Sequence, residues 1–424
     1  MASSPSSCET GTPAPAVPTT TLEVPVIMPR ALEDAAEATV PVPHEQGRTH
    51  HPVVIALALS AGTAALVSAE FIPAGVLPGM AADLSVTEGR AGLTVGATAL
   101  AGALTAPTIA SIVPRADRRT VLLALLGLAV VSNLVVAIAP SLAVVLAARV
   151  LLGAAIAGFW SFALPVGVQV TGRGPLVSTT VALGTSTATI VGVPVSSVLG
   201  DVIGWRAVFV LVAVVTALAG VILALLLPRV PASPGAGLAM MRAALANRRL
   251  VAGVAVIMVA AFANFAAYPY IRVAIEAVDA SAVAVLLLAW GLGGLAGNLL
   301  GGWGSRRLRP ALVAALSLLA LALVGMALTE HTAVLALAVV AWGVSFNMVP
   351  VLTQLWVATA EPTRVESAVA LQVTAFQIAI MIGAVVGGAI VDARGPDTAM
   401  LLGAGSALVA VVGFAAIRVR PRTA

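Results

Sequence analysis

The sequence contains little charge, few aromatic residues and almost no cysteine. Charged residues make up 9% of the 424 residues and aromatic residues 4%, and the single cysteine, Cys8, has no partner for an internal disulfide or redox pair. The 22 basic residues, all arginine, outnumber the 18 acidic ones by four. They are scattered over short segments and form no continuous basic face, so we expect no nucleic-acid partner.

Hydrophobic sequence is abundant instead, at 60% of the residues. A helix needs about 20 apolar residues to cross the roughly 30 Å hydrocarbon layer, and such runs recur from Val53 to Ile417. Stretches such as Val208 to Leu227 are continuously apolar, whereas the strands of a membrane barrel alternate apolar and polar residues. The sequence therefore predicts an all-α membrane protein with twelve transmembrane helices.

The predicted organisation has five parts. Residues 1–51 are rich in Pro, Ser, Thr and Ala and are expected to form a disordered tail, with either Met1 or Met28 as the start. Two six-helix bundles, a linker rich in Pro, Gly and Arg, and a short C-terminal tail follow. Their ranges are 52–227 and 251–417 for the bundles, 228–250 for the linker and 418–424 for the tail. The twelve spans are predicted at 53–77, 93–113, 121–139, 142–170, 177–203, 208–227, 251–273, 282–303, 311–328, 333–356, 367–391 and 398–417.

Arginine placement predicts the orientation of the spans. From Arg48 onwards, sixteen arginines lie in loops or at chain ends on one side, and four, Arg90, Arg206, Arg272 and Arg394, lie on the other. Basic loops stay in the cytoplasm, so both termini are predicted to be cytoplasmic. The exclusive use of arginine and the abundance of alanine suggest a GC-rich bacterial genome, and we expect a multi-pass protein of the bacterial inner membrane.

An internal repeat is visible at a constant offset of 191 residues. Glycines and acids near the end of the fifth span have counterparts near the end of the eleventh. The pairs are Gly192 with Gly383, Asp201 with Asp392, and Gly204 with Gly395. This repeat predicts two pseudo-symmetric six-helix bundles in parallel orientation, an arrangement common in transporters.

Two charged residues interrupt the apolar spans. Glu70 lies in the outer part of the first span, where a charge costs about 2.5 to 3.5 kcal/mol at mid-depth. A proton-carrying or substrate-coupling role would account for it; the alternative is a residue that reaches the interface near Pro73 and Pro78. Arg149 in the fourth span has either a functional or a purely structural role, because it cannot lose its charge and must find water or a partner.

Polar and aromatic side chains supply candidate substrate contacts, because amides both donate and accept hydrogen bonds and rings can stack on a ligand. For each of them, helix packing is the competing explanation. The candidates are Trp160, Asn264, Asn347, Gln354, Gln372 and Gln377. The four histidines, His44, His50, His51 and His331, lie outside the spans and show no metal-ligand spacing, so no metal, cofactor or enzymatic activity is expected.

Arginine-rich turns give the sequence a family resemblance. Asp117, Arg118 and Arg119 after the second span are similar to the Gly-x-x-x-Asp-Arg turn of the major facilitator superfamily, with Val113 in place of the first glycine. The second-half turn contains Gly301, Ser305 and Arg306. The resemblance implies a gating role for these turns and a role in proton coupling for Arg149.

A more specific resemblance is to twelve-span drug:proton antiporters of the sugar-efflux and purine-ribonucleoside-efflux type. The matching segments are Glu70-Phe71 with Pro73, Gly158-Phe159-Trp160, Gly204-Trp205-Arg206, Tyr270-Ile271-Arg272, and Trp342-Gly343 with Phe346, Val349 and Pro350. This resemblance implies alternating access by a monomer, with a small molecule, protons and the bilayer as partners.

The favoured hypothesis is proton-coupled efflux of a small polar neutral molecule, a sugar or a nucleoside. Glu70 would carry the proton, and Arg149 would hold a polar network on the cytoplasmic side. A multidrug or antibiotic efflux antiporter is the alternative within the same class. A non-transporting membrane sensor or scaffold is the alternative from another class.

Overall fold

The structure is a computed structural model that describes residues 51–231, 245–362 and 364–417. The described residues form helices and no strands, which confirms the predicted all-α fold. The predictions for residues 1–50 and 418–424, and for most of the linker, lie outside the described residues.

Six long helices form the first half of the chain. They begin and end within a few residues of the predicted spans, and most extend beyond them into the loops. Their bounds are α1 Pro52–Asp83, α2 Glu88–Ile112, α3 Arg118–Ala137, α4 Leu142–Thr171, α5 Gly174–Ile203 and α6 Trp205–Leu226.

The second half has the same plan, with one interruption. The span predicted at 251–273 is two helices, α7 and α8, separated by a 3₁₀ turn at Tyr268–Tyr270 that contains Pro269. Proline has no N–H to continue the helical hydrogen bonds, so a single straight helix cannot form there. The bounds are α7 Arg248–Phe265, α8 Ile271–Asp279, α9 Val283–Gly304, α10 Leu308–Leu328, α11 Thr332–Ala360, α12 Val365–Arg394 and α13 Pro396–Ala416.

Ten helical segments within the described residues are long and apolar enough to cross a membrane. One of them, Arg248–Leu328, is 81 residues long and contains α7 to α10. Its length corresponds to three of the predicted spans. Counted as three, it brings the total to the predicted twelve.

The 191-residue repeat is visible in the helix ends. The helices α5 and α12 are each 30 residues long, and both of their ends are 191 residues apart. Each is followed by a glycine with φ of +84°, Gly204 in the first half and Gly395 in the second. The two halves therefore share the same backbone course at these helix ends, including a glycine with a positive φ at the equivalent position.

Two helix pairs join the halves, α2 with α12 and α5 with α9. Glycines allow the backbones to approach closely in both pairs. A Cβ on Gly89 would lie 2.1 Å from the carbonyl oxygen of Gly388, and one on Gly291 would lie 2.7 Å from the backbone of Ile190. Small residues at such positions are typical of helix packing in membranes.

The outward surface of the helices is apolar. On α6, large side chains such as Val214, Leu218 and Leu225 are exposed, while Phe209 and Leu223 on its other face are buried. An exposed apolar surface of this extent is stable in contact with lipid and not with water. The protein is thus arranged for a bilayer.

We expect Gly204→Ala and Gly395→Ala to destabilise the protein by similar amounts, about 1–3 kcal/mol each, because an L residue is strained at this φ. Nothing lies within 4 Å of a Cβ built at either position, so the effect comes from the backbone alone. Thermal unfolding of the purified protein in detergent measures it.

Gly127→Ala and Gly405→Ala are the matched controls, since both glycines lie inside helices and also have open space around them. Alanine is the better helix former, so neither control should lower the melting temperature. Unchanged stability of Gly204→Ala would contradict the assignment of strain.

Candidate functional site

The central helix α1 carries the first of the two intramembrane charges. It packs against α5 and α6 and also contacts α8 and the 3₁₀ turn of the other half. Glu70 on this helix is partly buried. Among the described residues its carboxylate makes no hydrogen bond and no ion pair within 4 Å, although Arg149 and Tyr268 are close enough to interact with its charge.

Arg149 on α4 is fully buried, and its guanidinium binds the backbone of α1. It donates to the carbonyl oxygen of Ala69 at 2.8 Å and to that of Glu70 at 3.2 Å, while its Nε donates to the hydroxyl of Thr98 on α2 at 3.1 Å. Pro73 explains the first contact. Its nitrogen carries no hydrogen, so the carbonyl of Ala69, four residues earlier, has no helical donor.

Arg149 therefore supplies the donor that the proline removes. A buried carbonyl without a partner is costly in a membrane, and a fixed charge without acceptors is more so. Each group satisfies the other. Arg149 lies eight residues into α4 from the loop at 138–141. In the predicted orientation this loop is on the outer side, so the predicted orientation and the predicted cytoplasmic-side network do not agree with each other.

An aromatic cluster lies beside Glu70. The ring of Tyr268 stacks on Trp290 with centroids 5.5 Å apart, and Phe346 lies 4.9 Å from Trp290. Phe71 reaches Tyr268 from α1 at 5.3 Å, in an edge-to-face arrangement. Two further rings complete the cluster, those of Phe265 and Phe376.

The cluster joins the halves, because Phe71 belongs to the first half and the other five rings to the second. Phe71 and Phe376 are partly exposed, whereas the remaining four rings are buried. Four buried rings of the second half thus form the interior of the cluster, and the partly exposed ring of Phe71 lies next to Glu70 in the chain.

Three of the amides nominated from the sequence have contacts to other helices. Asn264 accepts a hydrogen bond from the indole of Trp342 at 2.8 Å, and Gln372 donates to the hydroxyl of Thr353 at 3.0 Å. Gln377 lies against α2, where a Cβ on Gly102 would be 2.2 Å from its Nε2. Asn264 and Gln372 have packing roles in this conformation, and Gln377 is at the junction of the halves.

The other three nominated residues differ in position. Trp160 is 43% exposed and Gln354 is exposed, and neither belongs to the aromatic cluster. Asn347 follows Phe346 and lies against α9, with a Nδ2 that is buried and has no partner among the described residues. Of the three, Asn347 is the one that the fold brings to the cluster.

Sequence reasoning did not nominate Trp290, Phe376 or Thr98. Trp290 and Phe376 are ordinary apolar residues within spans. Trp290 joins the cluster through Tyr268 and Phe376 joins it through Phe265, and both contacts depend on how separate helices pack. The partner of Thr98 is 51 residues away in the chain. One signal was visible in the sequence. Pro73 lies four residues after Ala69, so the Ala69 carbonyl lacks a donor from its own helix and needs one from another helix.

Charged groups also lock the halves together at the end of α5 and the beginning of α8. Arg272 donates to the carboxylate of Asp201 at 2.7 Å, to the carbonyl of Gly75 at 2.7 Å and to the hydroxyl of Ser197 at 2.9 Å. Because Arg272 belongs to the second half and the three acceptors to the first, this group is called the Arg272 lock.

The symmetry mate of Asp201 makes a second contact on the same side. Asp392 accepts from the hydroxyl of Thr87 at 2.7 Å and from the backbone N–H of Gly89 at 2.9 Å. Both acids of the repeat therefore hold the halves together. In the predicted orientation this is the outer side.

The arginine-rich turns hold helix ends at the opposite side. Asp117 begins α3 and accepts from Thr120 and, at 2.7 Å, from the backbone N–H of Val230 after α6. Burial alone would raise the pKa of Asp117, but these hydrogen bonds outweigh it and hold the pKa below the ordinary 3.8. Arg118 is buried and lies over the ring of Phe162 at 4.5 Å.

The turns of the two halves make a similar contact. Arg119 donates to the carbonyl of Ala224 at the end of α6, and Arg309 donates to the carbonyl of Ala415 at the end of α13. The two acceptors, Ala224 and Ala415, are 191 residues apart. Gly301 is buried next to Val351, with 3.1 Å between that side chain and a Cβ placed on the glycine. Ser305 and Arg306 are exposed.

Comparison with known proteins decides the family. Residues 59–360 match the sequence profile described as Major Facilitator Superfamily. The chain belongs to the major facilitator superfamily. It is therefore a multi-pass membrane protein of a transporter family, as the resemblance implied.

Curated relatives within the superfamily match almost the whole chain. The purine ribonucleoside efflux pumps NepI of Salmonella paratyphi C and Salmonella typhimurium are each 31% identical over 367 residues, which is 84% of this chain and 92% of the pump. These matches confirm the resemblance to purine-ribonucleoside-efflux transporters.

Solved structures show the same fold. The nucleoside transporter NupG superposes with a TM-score of 0.70 at 13% identity, covering 86% of this chain and 98% of NupG. The human organic anion transporter MFSD10 superposes with a TM-score of 0.63 at 16% identity, covering 86% and 99%. At these identities the likeness concerns the major facilitator fold alone.

Because Arg149 replaces the missing donor of Pro73, the two residues should be energetically coupled. We expect Arg149→Met to destabilise the protein by about 1–3 kcal/mol through the unpaired carbonyl of Ala69. Pro73→Ala restores a helical N–H for that carbonyl, so it should recover part of the loss in the double variant. Thermal unfolding in detergent of the four proteins gives the coupling energy.

Pro78→Ala is the matched control. Pro78 lies on the same helix and leaves the carbonyl of Ala74 without a helical donor, but Arg149 does not contact that carbonyl. It should recover nothing in the Arg149→Met background. Equal recovery by both proline substitutions would show that the coupling is a general effect of helix straightening.

Proposed function

We propose that this protein exports a nucleoside-like molecule in exchange for protons, by alternating access of a central site. The observation that carries the proposal is Glu70, whose carboxylate forms no hydrogen bond or ion pair within the described part of the chain and lies beside an aromatic cluster at the junction of the two halves. The substrate class is supported by the names of the curated relatives, which are purine ribonucleoside efflux pumps.

Glu70 is suited to carry a proton because no described side chain forms a hydrogen bond or an ion pair with its carboxylate, and the charge of Arg149 reaches it only through space. A charge at mid-depth costs about 2.5 to 3.5 kcal/mol, and protonation removes that cost. The guanidinium of Arg149 is engaged with backbone carbonyls and is not bonded to the carboxylate. Glu70 is therefore free to exchange its proton when water or substrate reaches it, and Arg149 has a positioning role in this exchange.

Alternating access requires two arrangements of the halves, and the contacts of the Arg272 lock define one of them. With Asp201 and Asp392 engaged, the side that carries the ends of α5 and α12 is closed. Proton uptake or release at Glu70 would shift the balance between this arrangement and the opposite one, since the contacts of α1 differ between them.

The remaining assignments complete the proposal. The protein would act as a monomer in a bacterial inner membrane, with both termini in the cytoplasm and no enzymatic activity. The bundles would be 52–227 and 251–417. Asn347 and Gln377 would face the substrate path, and the turns that contain Asp117 and Gly301 would hold the helix ends that move on the cytoplasmic side.

Proton-driven export should depend on the acid at position 70. We expect Glu70→Gln, which is isosteric and cannot release a proton, to reduce gradient-driven uptake of labelled adenosine into inverted vesicles at least tenfold. Adenosine exchange without a gradient should be retained, since it needs no net proton movement.

Glu330→Gln in the loop after α10 is the control, because this residue is exposed and remote from the cluster. It should transport at the wild-type rate. If Glu70→Gln keeps full gradient-driven uptake, the proton role of Glu70 is wrong. Transport of lipophilic drugs in place of adenosine by the wild type would favour the multidrug alternative.

Breaking the Arg272 lock should open the closed side. In a Cys8→Ser background, Ala99→Cys places one thiol in the buried core between the halves. We expect Arg272→Met to accelerate its modification severalfold by a membrane-impermeant reagent, because the closed arrangement loses its bonds to Asp201 and Gly75. Applying the reagent to each side in turn also identifies the outer face.

Arg206→Met is the matched control. Arg206 pairs with Asp83 at 3.0 Å at the same end of the molecule, but both residues belong to the first half. Its loss should leave the thiol as protected as in the parent. Equal acceleration by both variants would mean that the Arg272 lock does not hold the halves together.

A further inference from the structure

Two hydrogen-bond donors in the aromatic cluster have no acceptor. The hydroxyl of Tyr268 and the indole N–H of Trp290 are fully buried, and neither has a partner among the described residues. A buried polar group without a partner costs about 1–3 kcal/mol, so such groups are usually satisfied. Two of them on rings that stack at 5.5 Å are a concentrated exception.

A third donor without a partner among the described residues belongs to α11 and packs against α9, one helical turn beyond Trp290. Gly294 follows Trp290 by four residues and so shares its helix face. A Cβ there would be 2.3 Å from Nδ2 of Asn347, which is buried and unpaired. The absence of a side chain at Gly294 makes room for this amide. The cluster thus combines flat rings with N–H and O–H donors, and Glu70 is the nearby acceptor.

The movable member of the cluster is Phe71. It is the ring contributed by the first half, and it contacts Tyr268 at 5.3 Å and Phe346 at 6.2 Å. A rearrangement of the halves therefore changes the position of Phe71 relative to the five rings of the second half. The surface that it covers on Tyr268 is flat, aromatic and next to the unpaired hydroxyl.

Such a surface fits one part of a nucleoside better than the other. A heterocyclic base presents a flat π face and ring nitrogens that accept hydrogen bonds, whereas ribose presents hydroxyl groups and no π face. We propose, on the basis of the proposed function, that the cluster recognises the base of a nucleoside, and that the hydroxyl of Tyr268 and the indole N–H of Trp290 donate to its ring acceptors. Tyr268 and Trp290 are thereby specificity-determining residues.

The test compares adenosine with its 1-deaza, 3-deaza and 7-deaza analogues, each of which lacks one ring acceptor. Binding is measured by competition with labelled adenosine on the purified full-length protein in detergent. We expect at least one analogue to bind the wild type about tenfold more weakly, the effect of one lost hydrogen bond. In Tyr268→Phe one of the penalised analogues, the one that lacks the acceptor of the Tyr268 hydroxyl, should bind as well as adenosine does, because the donor is gone.

Tyr270→Phe is the matched control, two residues away. Its hydroxyl is also buried, but it donates to backbone carbonyls, those of Gly89 at 3.3 Å and Ala384 at 3.2 Å. This variant should keep the tenfold preference for adenosine over the analogue. Folding is controlled independently, since Tyr268→Phe removes an unpaired polar atom and should melt at or above the wild-type temperature.

The inference is overturned if every analogue penalty of the wild type is unchanged in Tyr268→Phe, and also if the wild type shows no penalty for any of the three analogues. Export of adenosine without such a penalty leaves the proposed function standing and the inference wrong. If adenosine binds with the penalty but is not exported under a gradient, the inference stands and the proposed function is wrong. Failure of adenosine both to bind and to be exported contradicts the inference and the proposed function together.

Discussion

The need to satisfy every backbone polar group inside a bilayer governs this structure. Within the hydrocarbon there is no water to replace a lost hydrogen bond, so the spans are helical and each break in a helix requires a substitute donor or acceptor. Pro73 creates such a break in α1, and Arg149 on a neighbouring helix provides the donor. Together with the bonds of Arg149 to the Glu70 carbonyl and to Thr98, this contact holds α4 against α1 and stabilises the buried charge.

The same constraint explains how the site is assembled. The guanidinium of Arg149 is held by carbonyls of α1 and by Thr98, so it orders the backbone that carries Glu70 without neutralising the carboxylate. In the other half, α7 ends before the turn that contains Pro269, and the ring of Tyr268 in this turn contacts Phe71 of α1 and Phe265 of α7. Two prolines, one in each central helix, therefore shape the junction where the acid and the aromatic cluster meet.

Two equivalent acids of the internal repeat connect the halves. Asp201 and Asp392 occupy equivalent places at the ends of α5 and α12, just before glycines with the same positive φ. Their partners are not equivalent, since one binds the side chain of Arg272 and the other binds the beginning of α2. Equivalent helix ends in the two halves thus make two different contacts between the halves.

The sequence by itself determined the features that depend on composition and spacing: the membrane class, the helix positions, the 191-residue repeat, the family resemblance and the conspicuous charges Glu70 and Arg149. These follow from local rules, because a run of apolar residues must become a helix in lipid. It did not reveal that the seventh span is broken, although Pro269 was visible. Prolines occur in straight spans too, and Pro165 lies within the unbroken α4.

Tertiary structure decided which residues meet. Asn264 and Gln372 were nominated as substrate contacts, and the fold gives them interhelical hydrogen bonds; Trp160 lies outside the aromatic cluster. Trp290 gave no signal in the sequence, yet packing places its ring against Tyr268 with an unpaired donor. The physical reason is that contacts between segments far apart in the chain decide which helix faces meet. A single sequence indicates such a contact only where a proline, a glycine or a charge needs a partner on another helix.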